Sequence, residues 1–267
     1  MNVLDRIVQT KRSELEHLPA AEDIPAAGLR RAGFADAIAQ GRPAFIAEVK
    51  PRSPSAGRLL DAHRIPALVE AYDHAATAIS VLCDHTYFGG GYDLLARVAA
   101  ATAKPLLAKE FILDPRQIAL AASHGASAVL LIAAILDEPK LAALLSESLR
   151  LGCDVLLEVH NAAEVDKAAS VVASLGAVER RRVVLGINNR DLDSLEIDLH
   201  HTETLAPLVR EKLGNECLLI AESGLDSPEA CRRLLPCVDG FLIGTSILRS
   251  PDPAAFLSSL VTACNRE

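Results

Sequence analysis

A handful of side chains carry most of the chemistry this sequence can offer. Glu48-Val49-Lys50 alternates an acid and a base around an apolar residue, Leu157-Glu158-Val159-His160 alternates an acid and an imidazole, and Lys109 closes a third apolar run ahead of Glu110. In a strand, alternate side chains share a face, so Glu48 and Lys50 go with Ile46, and Lys109 with Leu107. By the same parity Asn188 goes with Arg190, and Glu222 with Ile220. Ammonium groups beside carboxylates bind anions and move protons. Singly, each of these residues reads as well as a buried ion pair or a solvated strand end. Ionisable groups are costly to bury unpaired, and five runs delivering them to the same end argue for a site.

The elements that must position them form a repeat. From residue 45 onward, eight short apolar runs each end in polar or glycine residues and lead into a helical stretch: 45–50, 78–84, 105–110, 128–134, 154–160, 183–189, 218–224 and 240–246. Near-continuous apolar runs are the mark of parallel strands covered on both faces. Arg64 to His74 and Pro139 to Arg150 show helical spacing, and Asp114-Pro115 and Ser227-Pro228 each set an N-cap before a proline. Eight such units in 267 residues predict one closed (β/α)8 TIM barrel, whose usual length is roughly 250. No G-x-G-x-x-G follows the first run, so a dinucleotide fold loses its best signal. Residues 1–43 read as a helical extension on that single domain. The outer face of a barrel strand packs under helices, so Glu48, Lys50, Lys109, Glu158, His160, Asn188, Arg190 and Glu222 should turn inward, at the strand ends where barrel active sites form.

Phosphate recognition has its own pattern. Ser223-Gly224 follows the seventh run and Gly244-Thr245 the eighth, the loops where barrels bind phosphate on backbone amides and a helix N-terminus. Ser53-Pro54-Ser55 after the first run adds hydroxyl donors. The glycines let the backbone approach an oxyanion closely. Gly89-Gly90-Gly91 reads as a flexible rim loop near the substrate.

Other classes are disfavoured. A net charge of −8 argues against nucleic-acid binding, which needs a basic face. The longest apolar run, 128–136, falls far short of the roughly 18 residues of a membrane span. The amphipathic N-terminus lacks the apolar core of a signal peptide. His85, His160 and the pair His200-His201 show no metal-ligand spacing. Six cysteines without a C-x-x-C pair read as buried free thiols of a cytoplasmic protein.

Several segments together resemble indole-3-glycerol-phosphate synthase. They are Glu48-Val49-Lys50-x-x-Ser53-Pro54-Ser55, Lys109-Glu110-Phe111-Ile112, Leu157-Glu158-Val159-His160, Gly186-Ile187-Asn188-Asn189-Arg190-Asp191-Leu192, Glu222-Ser223-Gly224 and Gly244-Thr245-Ser246. The resemblance runs in order along essentially the whole chain, and its first and fourth segments are the specific ones. It implies decarboxylating, dehydrating ring closure of 1-(2-carboxyphenylamino)-1-deoxyribulose 5-phosphate, a step of tryptophan biosynthesis. No cofactor or metal is implied; the partner is the sugar-phosphate substrate, with room for transient contact with other enzymes of the pathway.

The resemblance also implies roles. Lys109 is the general acid for ring closure, best served by a pKa lowered toward operating pH, which Lys50 and partial burial would promote. Lys50 holds the anthranilate carboxylate and is a candidate in dehydration. Glu158 and Glu48 are the candidate bases, with the choice open. Asn188 and Arg190 orient hydroxyls and carboxylates, and Glu222 at the base of the site binds a hydroxyl or a lysine. Pro54, Phe111, Leu130 and Ile132 wall the aromatic ring; Ser53, Ser223, Gly224, Gly244 and Thr245 cradle the phosphate. Three departures stand out: Glu110 where the family has aspartate, Cys83 for threonine, and Thr245 for serine. The alternatives are another phosphate-binding barrel enzyme, such as phosphoribosylanthranilate isomerase acting through Cys83-Asp84, and a non-catalytic binding barrel.

Overall fold

The computed structural model describes residues 3–26, 33–191 and 194–265, so Leu192 lies outside the described residues. Every one of the eight apolar runs contains a strand: β1 (Ala44–Val49), β2 (Ala78–Leu82), β3 (Leu106–Lys109), β4 (Ala128–Ile132), β5 (Asp154–Val159), β6 (Val183–Asn188), β7 (Leu218–Glu222) and β8 (Gly240–Ile243). They close in the order β1-β8-β7-β6-β5-β4-β3-β2, and every pairing is parallel. This is a TIM barrel. The strands end a little earlier than their apolar runs. Ala133–Ile135 is a turn of 3₁₀ helix, and Thr245 already opens a helix, because the chain must leave the sheet to present its backbone at the rim.

Helices alternate with the strands. They are α1 (Val3–Leu15), α2 (Phe34–Gln40), α3 (Ile65–Ala75), α4 (Tyr92–Ala101), α5 (Pro115–Ser123), α6 (Glu138–Arg150), α7 (Ala162–Ala173), α8 (Ala177–Arg180), α9 (His200–Leu213), α10 (Pro228–Leu234), α11 (Thr245–Arg249) and α12 (Pro253–Asn265). The predicted caps are present: Asp114 accepts from the Arg116 amide at 2.9 Å, and Ser227 from the Ala230 amide at 3.2 Å. Each satisfies a donor that a helix start leaves open.

Strand parity divides the core in two. Ile46, Leu107, Leu156, Val184, Ile220 and Leu242 fill the barrel, whereas Ala47, Val49, Ala108, Leu157, Val159 and Ala221 pack outward under the helices. The two described helices of the N-terminal extension go to opposite ends. α2 plugs the N-terminal mouth with Phe34, Ala35 and Ile38, and the Ala35 amide donates to buried Asp154 at 3.0 Å. α1 crosses the C-terminal rim, where buried Lys11 meets Asp84 at 2.8 Å, beyond β2, and Glu110 at 3.1 Å, beyond β3. Glu110, the residue that departs from the family's aspartate, turns outward and anchors α1.

The cysteines described are all free thiols, with Cys217 and Cys237 only half-buried. Among the described residues no helix is long and apolar enough to cross a membrane, and no cluster of side chains is arranged to hold a metal ion.

Candidate active site

The C-terminal ends of the strands surround a cavity of about 550 Å³, a size that suits a small metabolite. Lys50, Glu48, Lys109, Glu158, Asn188 and Arg190 all line it, as do Pro54, Phe111, Leu130 and Ile132. Ser53, Ser223, Gly224, Gly244 and Thr245 line it too. Glu222 does not reach the cavity surface; it lies beneath, with 1% of its surface exposed, and binds a lysine, one of the two partners expected for it.

The ionic groups form two chains. In the first, Lys50 is hydrogen-bonded to Glu48, whose other oxygen is 3.6 Å from Lys109 Nζ, and Lys109 in turn donates to Glu222 Oε2 at 2.8 Å. In the second, Glu158 Oε1 lies 3.1 Å from His160 Nε2, an ion-pair distance at an angle short of a directed hydrogen bond. The imidazole turns back from the cavity toward α7, with Nδ1 3.2 Å from Glu164. Parity placed His160 inward, yet the strand ends at Val159, and the ring is free to turn behind Glu158.

The acidities follow from this wiring. Burial raises the Glu48 carboxyl, but the two lysines outweigh it and hold it below the usual range. Burial also raises Glu158, and the neighbouring His160, with Lys109 beyond, takes it down to about 2. Glu222 goes the other way, pushed up to about 7 by burial and by the charge of Glu158 against the single ammonium of Lys109. Its Oε1 is buried without a donor. Lys109 corrects the expectation of a lowered pKa: burial lowers it, but Glu222, Glu48 and Glu158 together raise it above the ordinary lysine value. Two glutamates within salt-bridge reach of Lys109 weigh more than the like charge of Lys50 on the other side of Glu48.

The glycines leave room for these carboxylates. A Cβ on Gly244 would sit 2.2 Å from Glu48 Oε1, and one on Gly186 2.3 Å from Glu222 Oε1. At Gly244 the crowding side chain supplies the reason, rather than the close approach of an oxyanion alone. In the loop after β7, Ser223 has φ 66° and Gly224 φ 78°, left-handed values that are rare for serine and mark strain at a functional turn. Asn189 holds this turn through a bond from its Nδ2 to the Ser223 carbonyl at 3.2 Å. The backbone amides of Ser223, Gly224 and Thr245 enter none of the described loop hydrogen bonds. Ser53 Oγ accepts from the Ala56 amide at 3.0 Å, leaving its proton to donate.

The sequence reading missed several participants. α1 covers the cavity with Val3, Leu4 and Ile7, and Phe88, Leu195 and Ile197 close its sides. Asn189 has the wrong parity for the cavity, and a polar residue on an outward face was the available signal. The Gly89–Gly91 run is corrected: it packs behind the β2 end, where a Cβ on Gly90 would lie 1.9 Å from the Leu82 carbonyl oxygen, and it does not line the cavity.

A family model for indole-3-glycerol phosphate synthase matches residues 4–260. The chain belongs to this family of decarboxylating lyases of tryptophan biosynthesis. An indole-3-glycerol phosphate synthase from Rippkaea orientalis is 39% identical over 254 residues, 93% of this chain and 80% of that protein. One from Polaromonas sp. is 37% identical, covering 97% and 98%. Tryptophan biosynthesis protein TrpCF of Salmonella typhi is 38% identical over 87% of this chain but only 49% of its own length. Among solved structures, tryptophan synthase subunit alpha from Legionella pneumophila shares the fold, with a TM-score of 0.61, 13% identity, and coverage of 86% of this chain and 97% of that one.

Proposed function

We propose that this site closes the indole ring of 1-(2-carboxyphenylamino)-1-deoxyribulose 5-phosphate with loss of carbon dioxide and water. The observation that carries the assignment is the Lys50–Glu48–Lys109–Glu222 chain beneath a cavity that has an apolar wall on one side and, on the other, backbone amides that enter none of the described loop hydrogen bonds. Ser53 and the amides of Ser223, Gly224 and Thr245 hold the phosphate, and Lys50 holds the anthranilate carboxylate. The ring lies between Pro54, Phe111, Leu130 and Ile132, while Asn188 and Arg190 orient the ribulose hydroxyls.

Lys109 protonates the carbonyl oxygen as the aromatic carbon attacks. Its raised pKa keeps it protonated but makes it a weak acid, and the developing oxyanion, far more basic than a ketone, is still basic enough to take the proton. Carbon dioxide then leaves, and the hydroxyl departs as water with a second proton, for which Lys50 is the donor at hand. The proton lost as the five-membered ring becomes aromatic is adjacent to a cationic centre and acidic, so a weakly basic carboxylate suffices. Glu158 suits that step better than Glu48, both of whose oxygens face lysines.

The runner-up isomerase reading has little to stand on. Cys83 packs in the outer core, its thiol donates to the Val81 carbonyl at 3.4 Å, and burial pushes its pKa up. It is not among the residues that line the cavity. The deciding assay supplies the ribulose phosphate to the purified chain with a chelator present and follows indole product by fluorescence. Turnover is expected; a folded protein with no turnover would refute the lyase reading and leave a binding barrel, and turnover lost to the chelator would refute metal-free chemistry.

A further inference from the structure

Among the described residues, His160 is the one ion-pair partner of Glu158. Glu158 is 3% exposed and His160 9%. Both ring nitrogens face carboxylate oxygens, Nε2 toward Glu158 at 3.1 Å and Nδ1 toward Glu164 at 3.2 Å. A neutral imidazole has one N–H and one lone pair. Either neutral tautomer would set a lone pair against a carboxylate, whereas the cation bonds Glu164 through Nδ1 and leaves a charged N–H beside Glu158, within ion-pair distance though short of a directed bond.

Glu164 is built into the start of α7. Its Oε2 also accepts the His160 backbone amide at 2.8 Å, its Oε1 accepts from Asn161 Nδ2 at 2.7 Å, and its own amide donates to Asn161 Oδ1 at 3.0 Å. It is fixed on the far side of the ring and cannot serve Glu158 directly. From α9, His201 Nε2 meets the His160 carbonyl, not the ring. Lys109 on β3 adds charge near Glu158, but its ammonium is bonded to Glu222.

We propose that His160 is a positioning residue: a permanently cationic imidazole, clamped by Glu164 outside the cavity, that keeps the proton acceptor Glu158 ionised and aimed inward. The inference rests on the role given to Glu158 above. The direction of the acidities agrees, with His160 raised to about 10 by its two carboxylates against the effect of burial. Its sign is opposite to that of Glu158. The stabilisation from His160 is complete below its ordinary pKa of 6.5 and fades as the pH climbs toward about 10. That from Glu158 is present above 4.5 and fades as the pH falls toward about 2.

The test is the full pH profile of His160→Gln, which keeps a donor and removes the charge. Without its cation a buried carboxyl rises by about 3 units or more. The acid limb of kcat should therefore move up as Glu158 goes from about 2 to about 5, with kcat about tenfold lower at pH ~4, within about threefold of wild type above pH ~6, and KM little changed. Glu164→Gln touches the cavity only through His160 and should move the same limb by a smaller step. A drop of equal size at every pH would mean a structural role alone and overturn the proposal. In the wild-type protein, ¹⁵N NMR at pH ~8 should find both His160 ring nitrogens protonated; a neutral tautomer there also overturns it, whether or not the variants fold. Glu158→Gln separates the two readings. If it keeps the wild-type rate, the role of Glu158 as base fails, while the NMR result still decides the clamp.

Discussion

Replacing Lys109 with methionine removes the proposed general acid while keeping an unbranched chain of similar length. The structure limits the collateral damage. Lys109 Nζ donates to Glu222 at 2.8 Å and lies 3.6 Å from Glu48. Glu48 keeps Lys50 as its partner. Glu222 loses its cation but already titrates at about 7, so it takes a proton instead of remaining as a buried orphan charge. The stability loss should then be ~1–3 kcal/mol, the cost of an unmade hydrogen bond, rather than the roughly 3–5 kcal/mol of a broken buried pair. Proton donation by a positioned side chain is worth about 10²–10⁴ in rate, or ~3–5 kcal/mol of barrier. Steady-state kinetics on the folded variant should show kcat down by that factor and KM within about threefold, because Lys50 and the phosphate cradle are untouched. A folded Lys109→Met protein that keeps kcat within about tenfold of wild type would refute the assignment of the acid.

Two further substitutions probe the frame of the site. Gly244→Ala would drive a methyl to 2.2 Å from Glu48 Oε1, pushing that carboxylate off both lysines; kcat should fall at least ~10-fold, with the melting temperature down by several degrees. A variant with unchanged kinetics would show that the Glu48 bridge has no part in turnover. Lys11→Met leaves Asp84 and Glu110 buried around an empty cation position. It should cost about 3–5 kcal/mol in denaturant unfolding and, by loosening α1 over the cavity, raise KM more than it lowers kcat. A kcat loss at constant KM would contradict the role of α1 as a cover.

Which side chains reach the cavity was legible because facing is a local property. A strand alternates with period two, so Ile46 fixes the direction of Glu48 and Lys50, and Leu107 that of Lys109. Pairing is not local. Lys109 meets Glu222 across 113 residues of chain and Lys11 meets Glu110 across 99, and only closure of the barrel brings them together. For that reason the direction of the Lys109 shift was misjudged: Lys50 is visible in the motif, but the largest attraction that outweighs it, the pair with Glu222, comes from a strand far along the chain. The same limit hid the split of the N-terminal extension, since Phe34 and Ile38 read simply as an apolar helix until the open mouth of the barrel exists to receive them. His160 escaped because parity lapses once the strand ends.

The wiring also resolves the tension of an acid whose pKa is raised. Lys50, Lys109, Arg190 and the His160 imidazolium stand against Glu48, Glu158, Glu164 and Glu222 in the free site, so a substrate bearing a carboxylate and a phosphate arrives with charge the site does not balance. A phosphate monoester alone brings about −1.5 to −2 at neutral pH. Of the groups present, Glu222 is poised to yield, because it titrates at about 7 and holds an oxygen with no donor. Taking up a proton there would remove one negative charge and cancel the largest of the attractions that raise Lys109. Lys109 would then become a stronger acid, and a freer one, only once the substrate is bound. Glu222 on this argument is a proton store beneath the lysine, and the crowding at Gly186 is the structural consequence of keeping it there.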